Sequence, residues 1–179
     1  MFEGTAIRLF GGLVFSALLL YTTVSDVRSR RIPNVATVLL AVCGLAFSVA
    51  TMPIARGILF GLGGMGVGLA VWLPFYVLRL LGAGDVKLMA AAGAWLGPAA
   101  TVHASVVAML AGGVLALVML AWQRRLREGA EHTALLGLAW LRLRQLRAPV
   151  PVSQAARQLP YGVALAVGAA LAAWYPGLT

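Results

Sequence analysis

The chain is 179 residues long, 61% hydrophobic and only 11% charged, with a mean hydropathy of +0.93. Soluble domains average ~45–50% apolar and ~25% charged residues, so a soluble globular domain and a disordered chain are both excluded. An all-α, polytopic membrane bundle remains, and a chain of this length holds about six spans of ~20 residues with short links. The net charge of +9 reads as basic loops facing anionic headgroups rather than as a nucleic-acid surface. No zinc-finger, RRM or aromatic-basic pattern accompanies it.

Six apolar stretches follow in order. The first runs roughly from Ala6 to Val24, the second from Pro33 to Thr51 and the third from Gly57 to Leu78. The fourth starts near Asp85 and is cut short by Gly97-Pro98; the fifth runs from Thr101 to Trp122 and the last from Pro160 to Tyr175. Long continuous apolar runs without period-2 alternation predict helices, since an open sheet leaves its backbone unsatisfied in lipid. The N-terminal MFEGTAIRLF makes a poor signal-peptide n-region, so the first stretch is expected to be a retained span. Gly57, Gly61, Gly64 and Gly68 form two small-xxx-small pairs suited to close helix packing. Residues 123–159 mix Leu and Trp140 with Arg142, Arg144 and Arg147, which predicts a cytoplasmic loop with an interfacial helix. The whole chain, 1–179, is expected to be one transmembrane domain.

Twelve bases lie in one set of loops or at their edge: Arg28, Arg30, Arg31, Arg79, Lys87 and seven arginines between 124 and 157. Only Arg8 and Arg56 lie in the other set. The positive-inside rule then places both termini outside and the loops after spans one, three and five in the cytoplasm. The lone Cys43 sits in an apolar run, where an inert buried thiol is expected. No CxxC pair exists, and His103 and His132 stand too far apart to suggest a metal site.

The acids are few. Glu3, Glu128 and Glu131 fall in terminal or loop positions, whereas Asp26 closes the first span and Asp85 opens the fourth. An Asp at a span centre costs ~2.5–3.5 kcal/mol on insertion scales, so acids retained at membrane edges invite a functional reading. Two spans separate the two aspartates, and two crossings return the chain to the same face. Carboxylates held close share a proton: the ionised member can take a proton from water while the protonated member polarises a carbonyl. Peptide hydrolysis needs no metal or covalent intermediate in that scheme. Gly82 and Gly84 flank Ala83 just before Asp85; glycine permits close backbone approach and positive φ, so an extended substrate can lie against this loop. Asp85 falls where a helix N-cap is expected. Lys87, two positions on, points away from it and is expected to meet a headgroup or another loop. Pro33 is expected in the first helical turn, with Asn34 as a simple cap.

These residues resemble a known family. GAGD at 82–85 with Lys87 matches the GxGD motif of intramembrane aspartyl proteases. Asp26 followed by Ile32-Pro33-Asn34 resembles the first aspartate region of type IV prepilin peptidases, and LPYGVALAVGA from Leu159 to Ala169 resembles their last span. The blocks occur in order over nearly the whole chain, and the nearest group resembled is the short, single-domain form of tight-adherence pilus systems. The resemblance implies an endopeptidase of the bacterial inner membrane that removes the leader from pilin-like precursors at the cytoplasmic face, with Asp26 and Asp85 as the catalytic pair. Presenilin-like proteases fit less well: their first aspartate follows a tyrosine, whereas Asp26 follows Ser25, and no Pro-Ala-Leu segment occurs near the C-terminus. Larger bifunctional members carry two CxxC pairs in an N-terminal segment and methylate the new N-terminus. With one cysteine, peptidase activity alone is expected here, without zinc or any cofactor. A non-catalytic subunit of a pilus or secretion assembly is the alternative. A proton-coupled transporter is disfavoured, since both acids lie at one face and no inverted repeat is visible.

Overall fold

The computed structural model describes residues 2–29, 32–78, 80–122 and 161–174, all of it helix and short links. The helices are α1 (Phe2–Ser29), α2 (Asn34–Thr51), α3 (Ile54–Val77), α4 (Ala83–Trp122) and α5 (Tyr161–Trp174). The first four contain stretches long and apolar enough to cross a membrane, and α5 is a shorter apolar helix. Prolines punctuate the first links. Met52, just before Pro53, is extended at φ −134° and ψ 163°, as the clash with a following proline ring requires. Pro33 stands before α2 as its cap rather than inside the first turn, and its carbonyl accepts from the Ala36 and Thr37 amides at 3.1 and 3.2 Å. Asn34 is therefore the first helical residue, and no side chain caps this end.

Each helix turns one stripe inward. In α1 it is Phe15, Leu19, Thr22 and Asp26; in α2, Ala36, Leu40, Gly44 and Ser48; in α3, Gly57, Gly61, Gly64, Gly68 and Trp72. The α3 glycines do what their spacing predicts. A Cβ on Gly57 would lie 2.6 Å from the Ser48 carbonyl oxygen of α2, and one on Gly68 would lie 2.8 Å from the Met89 oxygen of α4. Gly64 meets the Gly93 backbone so closely that a methyl group has no room. Helix axes approach closely where side chains are absent. α1 packs against α2 and α5.

The centre of the bundle is the start of α4. Val86, Leu88 through Ala92 and Ala94 are all buried, the pattern of a helix surrounded on every side. At Gly97 the backbone leaves helical geometry, at φ 74° and ψ 176°, a conformation essentially reserved for glycine. Before the break, 89–90, 93 and 94 lie beside Gly68, Gly64 and Gly61, so 83–96 runs antiparallel to α3. After it, Pro98 lies beside Gly63 and the Trp72 indole donates to Ser105 Oγ at 3.0 Å. Residues 98–105 thus run back along α3. α4 is therefore two helical arms that meet at Gly97 and run in opposite senses, with the break where the sequence separates its fourth and fifth stretches. Pro98 has no N–H, which deprives the Ala94 carbonyl of its helical donor; Ser48 Oγ from α2 donates to it instead at 3.0 Å. Trp95 donates to the Leu40 carbonyl at 2.8 Å and packs between Phe15 and Phe47.

Among the described residues, those up to Gly112 together with α5 form one compact unit, and the far end of α4, from Gly113, falls in a second. The second is described only over the far end of α4, so the interfacial helix expected within 123–159 lies outside the described residues.

Candidate active site

Asp26 continues the buried stripe of α1 and is only 8% exposed. It therefore faces protein, the usual orientation of an acid kept within a span. Its Oδ2 accepts the Gly162 amide of α5 at 3.0 Å. Asp85 is half-buried at the start of α4. It is not the N-cap expected at this position. α4 begins at Ala83, so Asp85 is the third helical residue and reaches back, its Oδ2 accepting the Gly82 amide at 3.1 Å. This is the acid half of a capping box. Both carboxylates thus occupy one oxygen with the free amide of a helix N-terminus, where partial positive charge favours an anion.

The two aspartates lie at the same end of the bundle. Asp26 lies one turn before α1 ends, and the link to α2 leads directly to Ile32 and Asn34. Ile32 packs on Gly84, where an added Cβ would lie 3.2 Å from the Ile32 Cβ. Lys87 Nζ donates to Asn34 Oδ1 at 3.1 Å. Ile32 and Asn34 are in this way fastened to the first turn of α4, and the carboxylates lie within range of each other's charge.

Gly82 and Gly84 differ from expectation in one respect. Neither has a positive φ; Gly97 is the positive-φ glycine among the described residues. Gly84 makes room for Ile32, and Gly82 stays exposed, with Asp85 Oδ2 3.3 Å from where its Cβ would be. Cys43 is half-buried rather than fully enclosed. It lines an apolar groove of about 690 Å³ between α1 and α2, with Phe10, Phe47 and Trp95, away from both acids. Among the described residues no three His, Cys, Asp or Glu side chains gather as a metal site would need.

The family model for the type IV leader peptidase family matches residues 13–117, a stretch that includes both aspartates. The chain belongs to the type IV leader peptidase family. Several relatives carry the name prepilin leader peptidase/N-methyltransferase. That of Dickeya chrysanthemi is 32% identical over 143 residues, covering 75% of this chain and 48% of the relative. That of Klebsiella pneumoniae is 36% identical over 99 residues, 51% of this chain and 42% of the relative. That of Neisseria gonorrhoeae is 35% identical over 117 residues, 61% and 40% respectively. The chain spans less than half the length of each. No solved structure matches it.

Two features of this family member escape a linear reading. Lys87 was expected to meet a headgroup or another loop; its partner is Asn34, expected only to cap α2. Gly162 lies in a stretch that resembles the family's last span, yet nothing local to it signals a contact with an acid 136 positions earlier.

Proposed function

We propose that the chain is a membrane-embedded aspartyl endopeptidase that removes the leader from type IV pilin-like precursors. It acts at the cytoplasmic face of the bacterial inner membrane. The observation that carries the reading is the convergence of Asp26, from the buried stripe of α1, and Asp85, from the first turn of the central helix, at one end of the bundle. One carboxylate accepts a proton from water as the water attacks the scissile carbonyl, and the other, protonated, donates to the carbonyl oxygen. The proton taken from water then reaches the leaving amine. Gly82 and Gly84 shape the approach to Asp85: Gly82 adds no side chain there, and Gly84 admits Ile32 beside it. The reading covers peptide hydrolysis alone, since a single cysteine provides no CxxC pair, and it invokes neither a metal nor a cofactor.

The proposed topology counts the two arms of α4 as separate crossings and α5 as the sixth. Both termini then face outward, and 123–159 forms a cytoplasmic loop. The bias of twelve bases to two supports it.

The test is a cleavage assay with purified protein in lipid nanodiscs and a candidate precursor. Asp26→Asn and Asp85→Asn should each lower the cleavage rate by on the order of 10²- to 10⁴-fold with the protein still folded. Processing that persists at the wild-type rate in both variants overturns the mechanism and favours a non-catalytic subunit.

A further inference from the structure

Asp26 is held by an element far from it in sequence. α5 begins at Tyr161, so the Gly162 amide is among the four that a helix leaves without an internal acceptor. It donates to Asp26 Oδ2 at 3.0 Å in a buried bond. The approach depends on the missing side chain. A Cβ on Gly162 would stand 2.6 Å from Asp26 Oδ2, 3.0 Å from its Cγ and 3.1 Å from its Cβ. Those atoms are the root of a short side chain on a buried helical face and cannot swing clear as the tip of a long one would.

The placing of that amide does not depend on the acid. Six residues on, Gly168 sits against the Ala104 carbonyl and the Ala108 backbone, and Leu165 and Ala169 are fully buried. At its far end Trp174 lies 3.7 Å from where a Cβ on Gly12 of α1 would be. Packing seats the helix, and the seated helix presents one of its free N-terminal amides to Asp26.

We propose that Gly162 is a positioning residue for the hydrolysis: its amide fixes Oδ2 of Asp26 and leaves Oδ1 to act on water opposite Asp85. This rests on the peptidase reading. The oxygen bound to the amide is withdrawn from proton transfer, and the carboxylate is held in one rotamer. Displacement of a reacting group by about 1 Å can cost on the order of 10²-fold in rate. Gly82 serves Asp85 in the same way but from the same helix; Gly162 makes the geometry of the pair conditional on the docking of α5.

The experiment compares wild type, Gly162→Ala, Gly168→Ala and a backbone ester at the 161–162 linkage, made by ligating a synthetic C-terminal segment. The ester removes the N–H without adding bulk. Thermal stability, kcat and KM are measured on one precursor. Gly162→Ala and the ester should lower kcat by roughly 10- to 100-fold, with KM within about twofold; the ester, which adds no bulk, should keep an unfolding temperature close to wild type. Gly168→Ala should lower the unfolding temperature while its folded fraction keeps near-normal kcat. An ester form with wild-type kcat overturns the inference, whether or not Gly162→Ala folds. So does a kcat loss that only tracks lost stability in both glycine variants. Wild-type protein that cleaves no precursor would instead sink the peptidase reading itself.

Discussion

Lys87 and Asn34 lie 53 positions apart yet share a hydrogen bond of 3.1 Å at the rim of the candidate site. The bond ties the start of α2 to the helix that carries Asp85. Both side chains are exposed, so water competes, and the net worth of such a bond is about 0.5–1.5 kcal/mol. Lys87→Met and Asn34→Ala should each slow cleavage by roughly twofold to tenfold, and the double variant should be no worse than the poorer single one. Fully multiplicative losses in that kinetic cycle would show that the two act separately. At this scale the sequence was partly legible. Asp26 and Asp85 stand out because acids are scarce and the parity of the spans between them can be counted. The amide partners do not stand out, because which glycine faces which acid depends on helix rotation and depth, and no local pattern encodes either.

Among the elements, α3 offers a controlled comparison. A methyl group on Gly64 would run into the Gly93 backbone of α4 and lie 2.9 Å from the Gly97 Cα, whereas one on Gly66 meets nothing within 4 Å. Gly64→Ala should cost about 1–3 kcal/mol through overpacking. Gly66→Ala should be neutral or stabilising by up to ~1 kcal/mol, since alanine is the better helix former. Reversible unfolding in mixed micelles measures both, and equal effects would contradict the packing described. Ser48→Ala should cost about 1 kcal/mol by the same measurement, because it leaves the Ala94 carbonyl above Pro98 without a donor. The glycine spacing of α3 and the Gly97-Pro98 break were readable because both are local backbone properties. The Ser48 partner was not: a serine on an apolar helix looks the same whether it bonds its own helix or repairs a neighbouring one.

At the scale of the whole molecule the helical class followed from hydropathy alone, and the base count supplied an orientation. The two ends of α3 test it. In a Cys43→Ser background, Ile54→Cys and Leu78→Cys place a thiol at exposed positions at opposite ends of that helix. An impermeant maleimide should label position 54 in spheroplasts and position 78 only after permeabilisation; the reverse result would invert the proposed topology. Less legible was the depth of the central helix. Span boundaries read from hydropathy treat every stretch as a lone rod in lipid. The arm 83–96 instead lies inside a sheath of other helices, so its length is free of the membrane's thickness.

That freedom affects the lipid. At about 1.5 Å per residue the arm 83–96 extends roughly 20 Å, against a hydrocarbon layer of ~30 Å. In the proposed topology Gly97 lies near the outer surface, which would put Asp85 several ångströms beneath the inner one, in a dimple where the bilayer thins and solvent enters. Hydrophobic mismatch would thereby become part of the proposed peptidase. Turnover should decline as the acyl chains of the surrounding vesicle lengthen, because a thicker film buries the acids from their water.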